Sequence, residues 1–139
     1  MDELPIKVGD TASFSRIVTD DDIQAFARVS GDNQPLHLDD AFASKTRFRM
    51  RIAHGMLSAA YISAALGTKL APGAVVVYLG QTMRFRLPVR IGDTITAACE
   101  VTAIDADKRI ATIRTDCTNQ NGDAVLTGEA TVLLDPLPA

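Results

Sequence analysis

From Gly55 to Leu66 the chain reads Gly-Met-Leu-Ser-Ala-Ala-Tyr-Ile-Ser-Ala-Ala-Leu, without a single charged residue. The helix this segment predicts carries small or apolar side chains on every face, whereas a surface helix keeps one polar face. It must therefore be enclosed. Its Ala and Ser positions let a sheet approach the backbone closely, so it is the expected axis of the domain.

What encloses it follows in the chain. After Pro72-Gly73 the hydrophobic period becomes two: Met83, Phe85 and Leu87 alternate with Thr82, Arg84 and Arg86, the pattern of a half-buried strand. Ile95, Ala97, Cys99, Val101 and Ala103 alternate through a segment long for a strand, and Ala111, Ile113 and Cys117 continue the theme. Turns are expected at Ile91-Gly92-Asp93 and at Asp105–Lys108. Asn121-Gly122 predicts a type I′ hairpin, since both residues tolerate positive φ, and the last strand runs from about Ala124 to Leu134. Val8-Gly9-Asp10-Thr11 resembles Ile91-Gly92-Asp93-Thr94 and reads as two similar strand starts rather than a repeat. One buried helix followed by long antiparallel strands implies an α+β domain, a curved sheet wrapped around the helix. That is the hot-dog architecture. The edges of such a sheet need cover, so a homodimer with continuous strand pairing is expected.

Upstream, Thr19 precedes Asp20, Asp21 and Asp22, an N-cap with an acidic first turn. The helix it starts presents Ile23, Phe26 and Ala27 on one face and stops at Ser30-Gly31-Asp32. Leu38–Ala43 reads as one short helical turn.

The 139 residues fit a single domain over 1–139. Hydrophobic residues at 47% and charged residues at 22% are far from the composition of disorder. The net charge of −3 offers no positive field for a nucleic acid. No apolar run reaches the roughly 18 residues of a membrane span, and the acidic start predicts no secretory signal. Cys99 and Cys117 stand in strand segments without a CxxC, and read as buried free thiols. A cytoplasmic protein is expected.

Chemistry concentrates in two places. Ser30-Gly31-Asp32-Asn33-Gln34-Pro35-Leu36-His37 sets a carboxylate and an imidazole five residues apart in a loop punctuated by Gly and Pro, a pair suited to acid–base work on one water. The alternative is that Asp32 caps a turn and His37 is satisfied at the surface. Ile52-Ala53-His54-Gly55-Met56-Leu57 places Gly55 at the N-terminus of the enclosed helix, where an unobstructed N–H stabilises a developing oxyanion. His54 reads as a helix cap. Together the two features suit addition of water to an α,β-unsaturated thioester.

Phe26–His37, then Ala41-Phe42-Ala43 and Arg51-Ile-Ala-His-Gly-Met-Leu57, resemble the MaoC-like (R)-specific enoyl-CoA hydratases. The likeness continues through Tyr78–Gln81, Phe85, Pro88-Val89, Ile91-Gly92-Asp93 and Thr127–Ala130. The family motif Gly-Asp-x-Asn-Pro-(aliphatic)-His is met at Gly31, Asp32, Pro35, Leu36 and His37, with Gln34 where Asn is usual. The resemblance implies that Asp32 and His37 jointly hold the catalytic water. His37 takes its proton and Asp32 delivers one to the α-carbon, with the reverse assignment left open. It further implies that Gly55 N–H binds the thioester oxygen and that the substrate is an acyl-CoA. Ser63 is implied to orient Asp32, or serves only as small-residue packing, and Leu66 to help close the acyl pocket. No metal or organic cofactor is implied. Arg47, Arg49, Arg51, Arg84, Arg86 and Arg90 are candidates for the coenzyme A phosphates. The competing functions are an acyl-thioester dehydratase or thioesterase of the hot-dog class, and a non-catalytic acyl-CoA-binding partner subunit.

Overall fold

The computed structural model describes residues 3–139, so Met1 and Asp2, at the head of the acidic start and of the expected 1–139 domain, lie outside the described residues. Five strands, β1 (Thr11–Ile17), β2 (Ala74–Phe85), β3 (Thr94–Asp105), β4 (Ile110–Thr118) and β5 (Ala124–Pro136), form one antiparallel sheet in the order β1-β3-β4-β5-β2. Four helices are α1 (Asp20–Ser30), α2 (Pro35–Leu38), α3 (Asp40–Ala43) and α4 (Gly55–Ala65), the last continued by a π-helical turn over Leu66–Leu70.

α4 lies against the sheet. Its Ile62 and Ala65, together with Leu66, share a fully buried core with Ile95, Ala97, Ile113 and Ala130. Cys99 and Cys117 belong to that core as free thiols, as their strand positions predict. Enclosure is nevertheless incomplete within one chain: Met56, Ala60 and Ser63, spaced i, i+4, i+7 along α4, are exposed. The expectation of burial on every face is corrected here, because one sheet covers only one side of a helix.

Helix α1 forms as its caps dictate. The Thr19 hydroxyl accepts from Asp22 N–H at 3.1 Å and Thr19 N–H donates to the Asp22 carboxylate at 3.3 Å, a capping box of the kind that contributes about 1 kcal/mol. Gly31 closes the helix at φ 81°, a conformation that costs side-chain-bearing residues more. The repeated tetrapeptides are matching turns. Gly9 and Gly92 both adopt φ 95°, and Asp10 and Asp93 each accept from the backbone N–H three residues upstream. The two turns lock opposite ends of the β1–β3 ladder through Gly9 N–H to Val101 O and Gly92 N–H to Val18 O.

Three strand details differ from expectation. Leu87 lies beyond the end of β2. Ala103 is exposed, because a register shift between Val101 and Ala103 breaks the alternation of β3. The β4–β5 hairpin forms at the expected place but not as a type I′ turn. Gly122 N–H donates to Asn119 O and Asn119 N–H to Asp123 O, and only Gly122 of the Asn121-Gly122 pair has positive φ. This is the longer turn closed by a left-handed glycine.

Candidate active site

The loop from Gly31 and the start of α4 come together at one end of the helix. Pro35 opens α2, where its missing N–H costs nothing, and α2 carries His37 into the interior, 7% exposed. His37 Nδ1 lies 2.8 Å from Ile52 O. A carbonyl only accepts, so Nδ1 carries a proton, and in the neutral ring the lone pair is then on Nε2. Nε2 lies 3.9 Å from Asp32 Oδ2. That gap is too long for a direct hydrogen bond, yet a water about 2.8 Å from both atoms would bridge them at an angle of roughly 90°.

Arg51 anchors this arrangement from below. Its Nε donates to His37 O at 2.7 Å and its guanidinium pairs with Asp20 at the start of α1, with only 9% of the side chain exposed. The pairing holds the Asp20 carboxyl below its usual range, through that hydrogen bond first. Arg51 is therefore committed to the fold, and it leaves the set of candidate phosphate ligands.

Gly55 begins α4, and its amide makes no hydrogen bond among the described residues. It faces a cavity of about 380 Å³ whose wall includes His37, Ile52, Gly55, Ser58, Phe85 and Val125. A Cβ added at Gly55 would stand 2.7 Å from the Phe85 ring, so no other residue leaves both the ring and the amide in place. Arg86 also lines this cavity and donates from Nε to Thr127 Oγ1 at 3.0 Å.

The structure thus brings His37 and Gly55 into one wall, with the Asp32 carboxylate, itself half-exposed, beside His37. Gln34 is exposed; its backbone N–H lies 3.4 Å from Asp32 Oδ1, a contact that does not depend on its side chain. Two further residues stand apart from this group within the single chain. Ser63 makes no hydrogen bond to Asp32 and lies about 12 Å along the helix axis from Gly55, on the exposed face. Leu66 is buried in the core at the far end of α4 and does not line the cavity. Ser58, unremarked in the sequence, is 4% exposed and lines the cavity; its position one turn after Gly55 was the available signal.

His54 occupies the N-cap position of α4, as expected, but its side chain makes no capping hydrogen bond there. Its Nε2 lies 2.8 Å from Asp32 O, and its ring stacks on His37 with centroids 3.9 Å apart at 26°. Asp32, His37 and His54 bring donor atoms within 4.8 Å of one another. Stacked rings direct their in-plane lone pairs side by side rather than toward a common ion, and each ring has already committed one nitrogen to a carbonyl.

The chain is thus a hot-dog domain with a carboxylate 3.9 Å from a buried imidazole, close to the start of its central helix. Residues 5–122 match the MaoC like domain, and the chain belongs to that family. A protein of Rhodospirillum rubrum named (R)-specific enoyl-CoA hydratase is 47% identical over 129 residues, covering 93% of this chain and 88% of the relative. The solved structure of an (R)-hydratase from Aeromonas caviae, described as involved in PHA biosynthesis, has a TM-score of 0.88 at 47% identity. The alignment covers 93% of this chain and 97% of that one. A mitochondrial 3-hydroxyacyl-(acyl-carrier-protein) dehydratase of Arabidopsis thaliana is 38% identical over 135 residues, covering 95% of this chain and 80% of the relative.

Proposed function

We propose that the chain is a hydro-lyase that reversibly adds water to trans-2-enoyl-CoA, giving (R)-3-hydroxyacyl-CoA. The observation that carries this reading is the 3.9 Å separation of His37 Nε2 from Asp32 Oδ2, with His37 and Gly55 lining one cavity and Asp32 beside its wall. Water held in the opening gives one proton to His37 Nε2 as its oxygen bonds to C3. The π electrons move through C2 and C1 onto the thioester oxygen, which Gly55 N–H stabilises. Collapse of the enolate takes up at C2 the proton that His37 received, relayed through the Asp32 carboxylate, which leaves imidazole and carboxylate in their starting states. One face of the alkene receives both groups. The (R) outcome is supported by the names of the Rhodospirillum rubrum and Aeromonas caviae relatives.

A homodimer accompanies this reading. β2 is an edge strand with Val75, Val77 and Leu79 exposed, and the Met56, Ala60 and Ser63 stripe of α4 is likewise uncovered. A second copy pairing along β2 would bury both. In such an assembly Ser63 would be tested as the residue that orients Asp32, and Leu66 as one that closes the acyl pocket. Arg86, already in the cavity wall, is the first candidate for the coenzyme A phosphates. Among the described residues no helix is long and apolar enough to cross a membrane, and the two buried free thiols are in keeping with a reducing, cytoplasmic setting.

The Arabidopsis thaliana relative supports a second reading, dehydration of a carrier-protein thioester by the same pair run in reverse. The test is loss of the enoyl absorbance of crotonyl-CoA, beside the same acyl group on a carrier protein. Turnover of the coenzyme A thioester at least tenfold faster supports the hydratase; the opposite order supports the dehydratase. Release of free thiol would mean a thioesterase, and binding without turnover a partner subunit. Asp32→Asn and His37→Gln are each expected to lower turnover by orders of magnitude with the fold intact.

A further inference from the structure

We infer that His54 is a positioning residue for the acid–base pair: its Nε2–H, donated to the Asp32 backbone carbonyl, holds the Asp32 carboxylate at water-bridging distance from His37. This inference rests on the proposed roles of Asp32 and His37.

The need for such a hold is visible in the loop. Asp32 follows Gly31, which sits at φ 81°, and its side chain is half-exposed. Its other tethers are local, from Asp32 N–H to Ser30 Oγ at 3.1 Å and from Gln34 N–H to Asp32 Oδ1 at 3.4 Å. Among the described residues, only the 2.8 Å bond from His54 ties Asp32 to the start of α4, 22 residues away in sequence. His37, by contrast, is fixed twice without His54, through Ile52 O at its ring and Arg51 at its carbonyl.

His54 itself has no freedom to do otherwise. It is 3% exposed, stacked on His37 on one side and packed on Phe26 on the other, with ring centroids 4.8 Å apart. The Asp32 carbonyl is an acceptor, so Nε2 carries the proton. Nδ1, buried without a partner, is then a bare lone pair, which costs less to leave unpaired than a charged imidazolium N–H would. Because Nδ1 is buried away from solvent and Nε2 is bonded to Asp32 O, neither nitrogen of His54 is placed to meet the water. It acts on the reaction through Asp32, and the order His54-Gly55 ties the acid–base pair and the oxyanion amide to one stiff helix terminus.

Two variants separate the hydrogen bond from the ring. His54→Phe keeps the stack and removes the donor, whereas His54→Gln keeps an amide N–H near the Nε2 position and removes the ring. With crotonyl-CoA, His54→Phe is expected to lower kcat about 100-fold with KM within about threefold of wild type, the size of effect set by ~1 Å misplacement. His54→Gln is expected to recover to within about tenfold of wild type. In an Asp32→Asn background His54→Phe is expected to cost less than about threefold more, because both changes act through one carboxylate. Wild-type imidazole ¹⁵N spectra are expected to show His54 protonated at Nε2 and bare at Nδ1. A His54→Phe variant as fast as wild type, a Gln variant no better than Phe, full additivity with Asp32→Asn, or the opposite tautomer would each overturn the positioning role. A fully active Asp32→Asn would instead sink the acid–base reading beneath it.

Discussion

Asp32→Glu tests the water-bridging gap more sharply than removal of the carboxylate does, because charge and chemistry are kept and only length changes. One added methylene extends the side chain by about 1.3–1.5 Å. Applied to the 3.9 Å separation of Oδ2 from His37 Nε2, it leaves roughly 2.4–2.6 Å, at or below direct hydrogen-bond distance and without room for a water. The carboxylate is then expected to close on the imidazole or to swing into solvent, and neither arrangement binds the nucleophile. A displacement of ~1 Å at a reacting group costs about 100-fold, or about 2.7 kcal/mol of barrier. Stability should move by less than about 0.5 kcal/mol, since the Asp32 side chain is 49% exposed. The assay is initial-rate hydration of crotonyl-CoA with a thermal melt of the same sample. A Glu variant with unchanged melting and kcat within about threefold of wild type would refute the idea that the pair works across one water.

Gly55→Ala is expected to fold, because its methyl would displace only the far end of the half-exposed Phe85 ring, and to lower kcat/KM at least about tenfold as ring and methyl crowd the amide. A variant at full rate would argue that the amide is not used. Gly128→Ala is expected to destabilise by roughly 1–3 kcal/mol in urea denaturation. The added methyl would fall on the Thr82 carbonyl and against the Gln81 amide, which bridges to the buried Thr115 hydroxyl at 2.8 Å; no loss would contradict that packing. Burial lifts the Cys99 thiol to about 11 and that of Cys117 to about 12, from an ordinary 9.0. The folded state therefore keeps protons that the unfolded chain releases. The stability involved is complete below pH 9 and is lost as pH rises toward those values, so the urea midpoint should be lower at pH 10 than at pH 8. An unchanged midpoint would contradict the burial of the thiols.

Features set by neighbours in sequence were legible before the fold was known. The Thr19 capping box, the Gly31 stop, the paired Gly-Asp turns and the enclosure of α4 on its sheet side all follow from local chemistry or periodicity. Ala103 was not legible, since the shift that turns it outward is imposed by its pairing with β4. Nor was the hairpin type, which depends on how five residues share two backbone bonds. In the site, the five-residue spacing of Asp32 and His37 and the place of Gly55 at a helix start were readable. The role proposed for His54 was not, because it rests on a contact across 22 residues, between the loop after α1 and the residue that precedes α4. Ser63 and Leu66 show the converse: helical spacing gives a face and a height, but not what covers that face in a single chain.

The central claim is that Asp32, His37 and the Gly55 amide act together on one enoyl thioester. It is tested most directly by incubating the wild-type protein with crotonyl-CoA and resolving the product on a chiral phase, beside Asp32→Asn and His37→Gln. The account predicts (R)-3-hydroxybutyryl-CoA from the wild type and almost none from either variant. The (S) product, or undiminished hydration by both variants, would contradict it.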